Sequence, residues 1–181
     1  GATAIGSLSL STALHSLAVG DQAHATGQDS SAYGLLSDAT GTGSVALGTV
    51  AKAHNENAIA VGNTSTVTGL NSIGIGSLAN AAGSQTVVVG RQAHSDATSE
   101  NSVAIGQGAH AAGQKRANDT YSASTIAIGN VAEAAENGDI VIGRQAVSTV
   151  SEYHNQEGSG AVVMGAEAKS YRSEERRVGK E

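Results

Sequence analysis

The sequence predicts an all-β fold, a parallel β-roll or solenoid built from 14-residue turns. Three observations predict it. Gly6, Gly20, Gly34, Gly48, Gly62, Gly76 and Gly90 recur every 14 residues, and Gly106, Gly129, Gly143 and Gly165 continue the series at wider intervals. A short run rich in aliphatic residues precedes most of these glycines, and an alternation of small and polar residues follows. The 181 residues include no Trp, Phe, Pro or Cys and only four Tyr, which argues against a core filled by aromatic side chains.

The first element of each turn is the run before the anchor glycine. One residue before it stand Ile5, Val19, Val61, Ile105, Ile128 and Ile142, and three before it Leu17, Val45, Ile59, Val103, Ile126 and Ile140. Between them lie mostly alanines, such as Ala18, Ala46, Ala104 and Ala127. A β-branched apolar run of about five residues, closed by glycine, reads as a strand buried on both faces and is too short for a helix. The second element follows three to five residues after the glycine. Ala23 and Ala25, Ala51 and Ala53, and Ala109 and Ala111 flank the polar His24, Lys52 and His110. This period of two, small inward and polar outward, reads as a half-exposed strand. Gly27, Gly41, Gly69, Gly83 and Gly113 then close the corner, where glycine supplies the positive φ that a tight turn needs.

Two strands per turn stack into two parallel sheets, and eleven rungs at the ordinary strand spacing span roughly 50 Å. The interior between flat sheets admits only Ala, Gly and Ser. The Val, Ile and Leu of the first strand therefore point away from it and form an apolar stripe along the outside of one chain. Such a stripe needs a partner, so the sequence predicts an obligate homo-oligomer with Val103, Ile105, Ile126, Ile128, Ile140 and Ile142 at the shared interface. Spacing alone leaves two or three chains open.

The net charge of −6 disfavours nucleic acid and anionic membranes as partners. Neither a signal peptide nor a run of 18 apolar residues is present. The chain starts inside a strand at Ala2, as a fragment of a longer protein would. The roll is expected over 1–172. The charged stretch 173–181 abandons the repeat and reads as a solvated tail or a segment of vector origin.

Asn101-Ser102-Val103-Ala104-Ile105-Gly106, with weaker copies at Asn57–Gly62 and Asn71–Gly76, resembles the head repeats of trimeric autotransporter adhesins, the YadA-like heads. Together with the period and the Ala-x-Ala second half, the resemblance covers roughly residues 1–172. It implies a left-handed roll, three chains around one axis, and display beyond the outer membrane of a Gram-negative bacterium. It also implies adhesion to a host matrix protein, a cell-surface receptor or other cells. The family's collagen-linked motif, Asn-Ser-Val-Ala-Ile-Gly-x-x-Ser, is incomplete: Ala109 stands at its last position. Neither neck, stalk nor membrane anchor is recognisable, so contact with a membrane is expected only through a missing anchor.

Two insertions break the period. Gly106 to Gly129 is 23 residues and Gly143 to Gly165 is 22. Both follow the second strand, so both are expected to leave one edge of the roll about two rungs apart. The first contains Lys115, Arg116, Asp119 and Tyr121, the second Glu152, Tyr153, His154 and Glu157. Lys115, Arg116, Tyr121, Glu152, Tyr153 and His154 are the candidate ligand-binding residues, because loops on a rigid scaffold carry recognition and Tyr and Arg are frequent hot spots. The opposite charge of the loops equally suits packing against each other or a neighbouring chain.

His94 and His110 occupy one outward row on consecutive rungs, about 5 Å apart, but two ligands without a well-spaced carboxylate predict no zinc site. His24, Asp38 and Lys52 in the same row suggest attraction between neighbours, and Tyr33 in the aliphatic row suggests a core filler. Neither a cofactor motif nor a catalytic constellation is present. A hexapeptide-repeat acyltransferase would need a period of six, and an ice-binding solenoid a threonine ladder where Thr66 stands alone. The leading function is a surface adhesin head; the alternative is a structural spacer or fibre-like rod with recognition elsewhere.

Overall fold

The computed structural model describes residues 1–114, 124–148 and 160–170. The chain winds as a solenoid of two parallel 11-stranded sheets. The first sheet holds β1 Thr3–Ile5, β3 Leu17–Val19, β5 Ser31–Tyr33, β7 Val45–Leu47, β9 Ile59–Val61, β11 Ile73–Ile75, β13 Val87–Val89, β15 Val103–Ile105, β17 Ile126–Ile128, β19 Ile140–Ile142 and β21 Val162–Met164. The second holds β2 Leu10–Ser11, β4 His24–Ala25, β6 Asp38–Ala39, β8 Lys52–Ala53, β10 Thr66–Val67, β12 Asn80–Ala81, β14 His94–Ser95, β16 His110–Gln114, β18 Glu133–Glu136, β20 Val147–Ser148 and β22 Lys169–Ser170. Each strand pairs with its counterpart one turn on, as in Leu17↔Ser31 and Ser31↔Val45. The rows resume after both insertions, with Val103 on Ile126 and Ile140 on Val162.

The strands are shorter than the pattern predicts, three residues in the first sheet and mostly two in the second. Corners take up the difference. From Leu8 to Gln92 every seventh residue is left-handed, with φ between 52° and 66°. Each turn is thus two seven-residue halves with a corner apiece. This corrects the predicted role of the second glycines. Gly27, Gly41, Gly69 and Gly83 are not among the positive-φ residues, although Gly113 is, with φ 45°. A Cβ on any of the four would strike a backbone carbonyl of the next rung, so close stacking requires glycine there. The anchor glycines meet both demands: Gly48 has φ 137°, and a Cβ would lie 2.5 Å from the Gly62 carbonyl oxygen.

The interior is thin and mostly alanine, but the expectation that it admits only Ala, Gly and Ser is corrected by Val67, Val88 and Val141, which are fully buried in it. Ala18, Ala32, Ala46 and Ala60 from the first sheet, and Ala23, Ala25, Ala51 and Ala53 from the second, are fully buried. Sizes compensate within a rung. Where the second strand carries Val67, the first carries Gly74, whose added Cβ would lie 2.7 Å from Val67 Cγ2. One interior row escapes the apolar pattern. Ser16, Ser30, Ser44, Ser72, Thr86, Ser102, Thr125 and Asp139, four residues before the anchors, are buried. Many of them satisfy corner backbone groups: Ser30 Oγ donates to the Gly27 carbonyl at 2.6 Å, and Ser72 Oγ donates to the Gly83 carbonyl and accepts from the Thr86 amide. Burying these hydroxyls is tolerable because each such bond replaces one to water.

Candidate functional site

The outer face of the first sheet is an apolar surface that the single chain leaves uncovered. Ala104 and Ala127 point inward and are fully buried, whereas the alternate residues face outward. Ile105 is 38% exposed and Ile75 41%, and Val103, Ile126, Ile128, Ile140 and Ile142 are half-buried. The strand is therefore covered on one face only within a chain. Tyr33 lies in this face at 37% exposure, and its hydroxyl, expected to find a partner, has none among the described residues. The corner after the strand adds further apolar surface. Leu8, Leu36, Leu78 and Val131 are exposed there in the left-handed conformation, which is unfavourable for a β-branched residue such as Val131.

The roots of both insertions lie in the second sheet, on β16 and β20, separated by β18. This is the predicted common edge and two-rung offset. The first departs beyond an irregularity in which β16 and β18 shift register between Ala111 and Gln114. The returns are tied down by the turn Asn137-Gly138-Asp139. Asn137 Oδ1 accepts from the Ser124 amide at 2.9 Å, and buried Asp139 accepts from the Glu136 amide at 3.0 Å and the Ala161 amide at 2.7 Å. The sequence signal for this carboxylate is its place in a row that elsewhere holds Ser or Thr, or Ala as at Ala58 and Ala161. The candidate ligand residues Lys115, Arg116, Tyr121, Glu152, Tyr153 and His154 lie outside the described residues, as does the tail.

The outer wall of the second sheet carries the titratable groups. His94 and His110 are register partners, and their rings stack with centroids 3.8 Å apart and planes 21° from parallel. The expectation that no carboxylate stands by them is wrong. Asp96, two residues beyond His94 along the same side, places Oδ1 3.2 Å from His110 Nε2, and Glu133 Oε1 lies 3.9 Å from His110 Nδ1. The one-turn stacking of rungs brings them together, which spacing along the chain hides. Burial, and then the neighbouring His110, hold the His94 ring below its ordinary value of 6.5. Asp38 also departs from expectation: it pairs with His54 at 3.3 Å, diagonally across the rungs, and not with His24 or Lys52 of its own row. At an exposed corner His15 bonds Asp29 at 2.9 Å and, with Gln28, lowers the pKa of that carboxyl.

A family model described as the YadA head domain repeat, in two copies, matches residues 11–37, 39–65, 68–93 and 97–115. These segments cover more than half of the chain, and each of the first three holds two anchor glycines. The chain belongs to the YadA head repeat family of trimeric autotransporter adhesins. No curated protein matched it. The family is adhesin-like and structural, not enzymatic. In this YadA-like head the last position of the collagen-linked motif proves to be internal. Ala109 is fully buried, and Ser65, its counterpart three rungs earlier, is buried with Oγ donating to the Gly62 carbonyl at 3.1 Å. A serine there braces the anchor corner, so Ala109 removes a brace and not a surface contact.

Proposed function

We propose that three copies of this YadA-like head assemble as left-handed rolls with their aliphatic faces toward a common axis, and that the rod is displayed beyond the outer membrane of a Gram-negative bacterium. The observation that carries this reading is the apolar outer face of the first sheet, which continues from Ile5 to Met164 with both ends strongly exposed in one chain. A stripe of that length is a liability in water and a natural seam between identical chains.

The rod attaches the cell to host matrix, to a cell-surface receptor or to sister cells. Its outward row changes from rung to rung, through His24, Asp38, Lys52, Thr66 and Asn80, which disfavours a ladder of identical weak sites. Recognition is therefore assigned to the insertions 115–123 and 149–159, with Lys115, Arg116, Tyr121, Glu152, Tyr153 and His154 as contacts. A head lacking both insertions, with its assembly state checked, should lose binding to immobilised matrix proteins and to cells. Unchanged binding by intact assemblies would reject the loops. An intact wild-type head that binds none of these targets would favour the spacer reading.

A further inference from the structure

The His94 cluster has the composition and geometry of a metal site. One ligand atom from each of His94, Asp96 and His110 lies within 4.8 Å of the others. Two imidazoles and one carboxylate, without thiolate, suit zinc and its first-row neighbours and not calcium or magnesium, which take oxygen donors. We propose that His94, Asp96 and His110 bind a divalent transition metal of the zinc type on the outer wall of the roll.

The two nitrogens of His110 have separate tasks in this site. Nε2 faces Asp96 at 3.2 Å, close to the roughly 3.3 Å that separates two ligands of a tetrahedral zinc ion. The metal would replace the proton now shared across that gap. Nδ1 faces Glu133 at 3.9 Å, beyond hydrogen-bond length, but a small rotation of that exposed side chain would bring the carboxylate onto Nδ1–H and leave Nε2 to ligate. His94 needs only a turn of its ring, because near-parallel stacked rings do not aim their lone pairs at one point. Its half-buried position leaves room for that turn. Water would complete the coordination.

The molecule supplies its own controls. His15 with Asp29 and His54 with Asp38 are two-membered pairs, and neither belongs to a three-ligand group among the described residues. Isothermal titration of zinc chloride into the untagged full chain should show one site per chain of micromolar affinity or better. His94→Asn, His110→Asn and Asp96→Asn should each weaken it by more than about tenfold, with far-UV circular dichroism unchanged. His54→Asn should leave it intact, and magnesium should give no matching heat. Failure of the wild-type chain to bind zinc at micromolar concentration would overturn the proposal. So would a site that survives in folded His94→Asn and His110→Asn chains.

Discussion

At the scale of single residues, the anchor glycines are held by two constraints that coincide. Gly48 combines φ 137° with a next-rung carbonyl 2.5 Å from where a Cβ would sit. Gly48→Ala should therefore lower unfolding stability by more than about 2 kcal/mol in chemical denaturation. Gly43 faces a milder demand. Its φ is 66°, and the nearest atom to an added Cβ is the Asn57 side-chain oxygen at 2.7 Å, which can move. Asn57 already occupies the same corner row with φ 52° and bonds Asn71 at 2.9 Å, so Gly43→Asn should be nearly neutral. Equal losses for the two variants would show that rung-to-rung contact does not select the glycines. His94 sets a pH dependence. Its folded pKa is lowered from 6.5 by burial and by His110, so below pH 6.5 the unfolded chain takes up a proton that the folded chain resists. Stability present above 6.5 is lost as pH falls toward the folded value. Denaturation in chelator at pH 7.5 and 5.5 should show a larger loss for wild type than for His94→Asn.

At the scale of the element, one turn is two short strands and two left-handed corners around an alanine interior. The strands, their faces and their one-turn register were legible in the sequence, because period two and the sizes of Ala and Ile separate inside from outside. The corners were not legible. Left-handed residues carry no single side-chain type, and Leu36, Asp29 and Val50 all take that conformation. Glycine at Gly27 and Gly41 drew attention to φ when the constraint was the neighbouring rung. The His94 group was half legible: the two histidines share a row, but Asp96 and Glu133 reach them only across stacked turns. Face assignment can be tested within one strand. Ala109→Leu forces a large side chain into the fully buried interior and should destabilise by about 1–3 kcal/mol. His110→Leu lies on the outer side and should change metal-free stability little. Equal thermal stabilities would show the faces reversed.

At the scale of the whole molecule, the solenoid is a rod whose two broad faces have opposite needs. The second sheet presents His24, Asp38, Lys52 and the His94 group to water, whereas the first presents Leu47, Ile75 and Ile105. Membership in the YadA head repeat family accounts for the repeat and its adhesin class. The uncovered aliphatic face is the physical argument for the proposed assembly, and that argument was already visible in residue sizes. Sedimentation equilibrium on the purified chain across a wide concentration range measures the assembly directly. A species of three times the 17.8 kDa chain mass, persisting on dilution, is expected. A folded, soluble monomer with the same circular dichroism would contradict it.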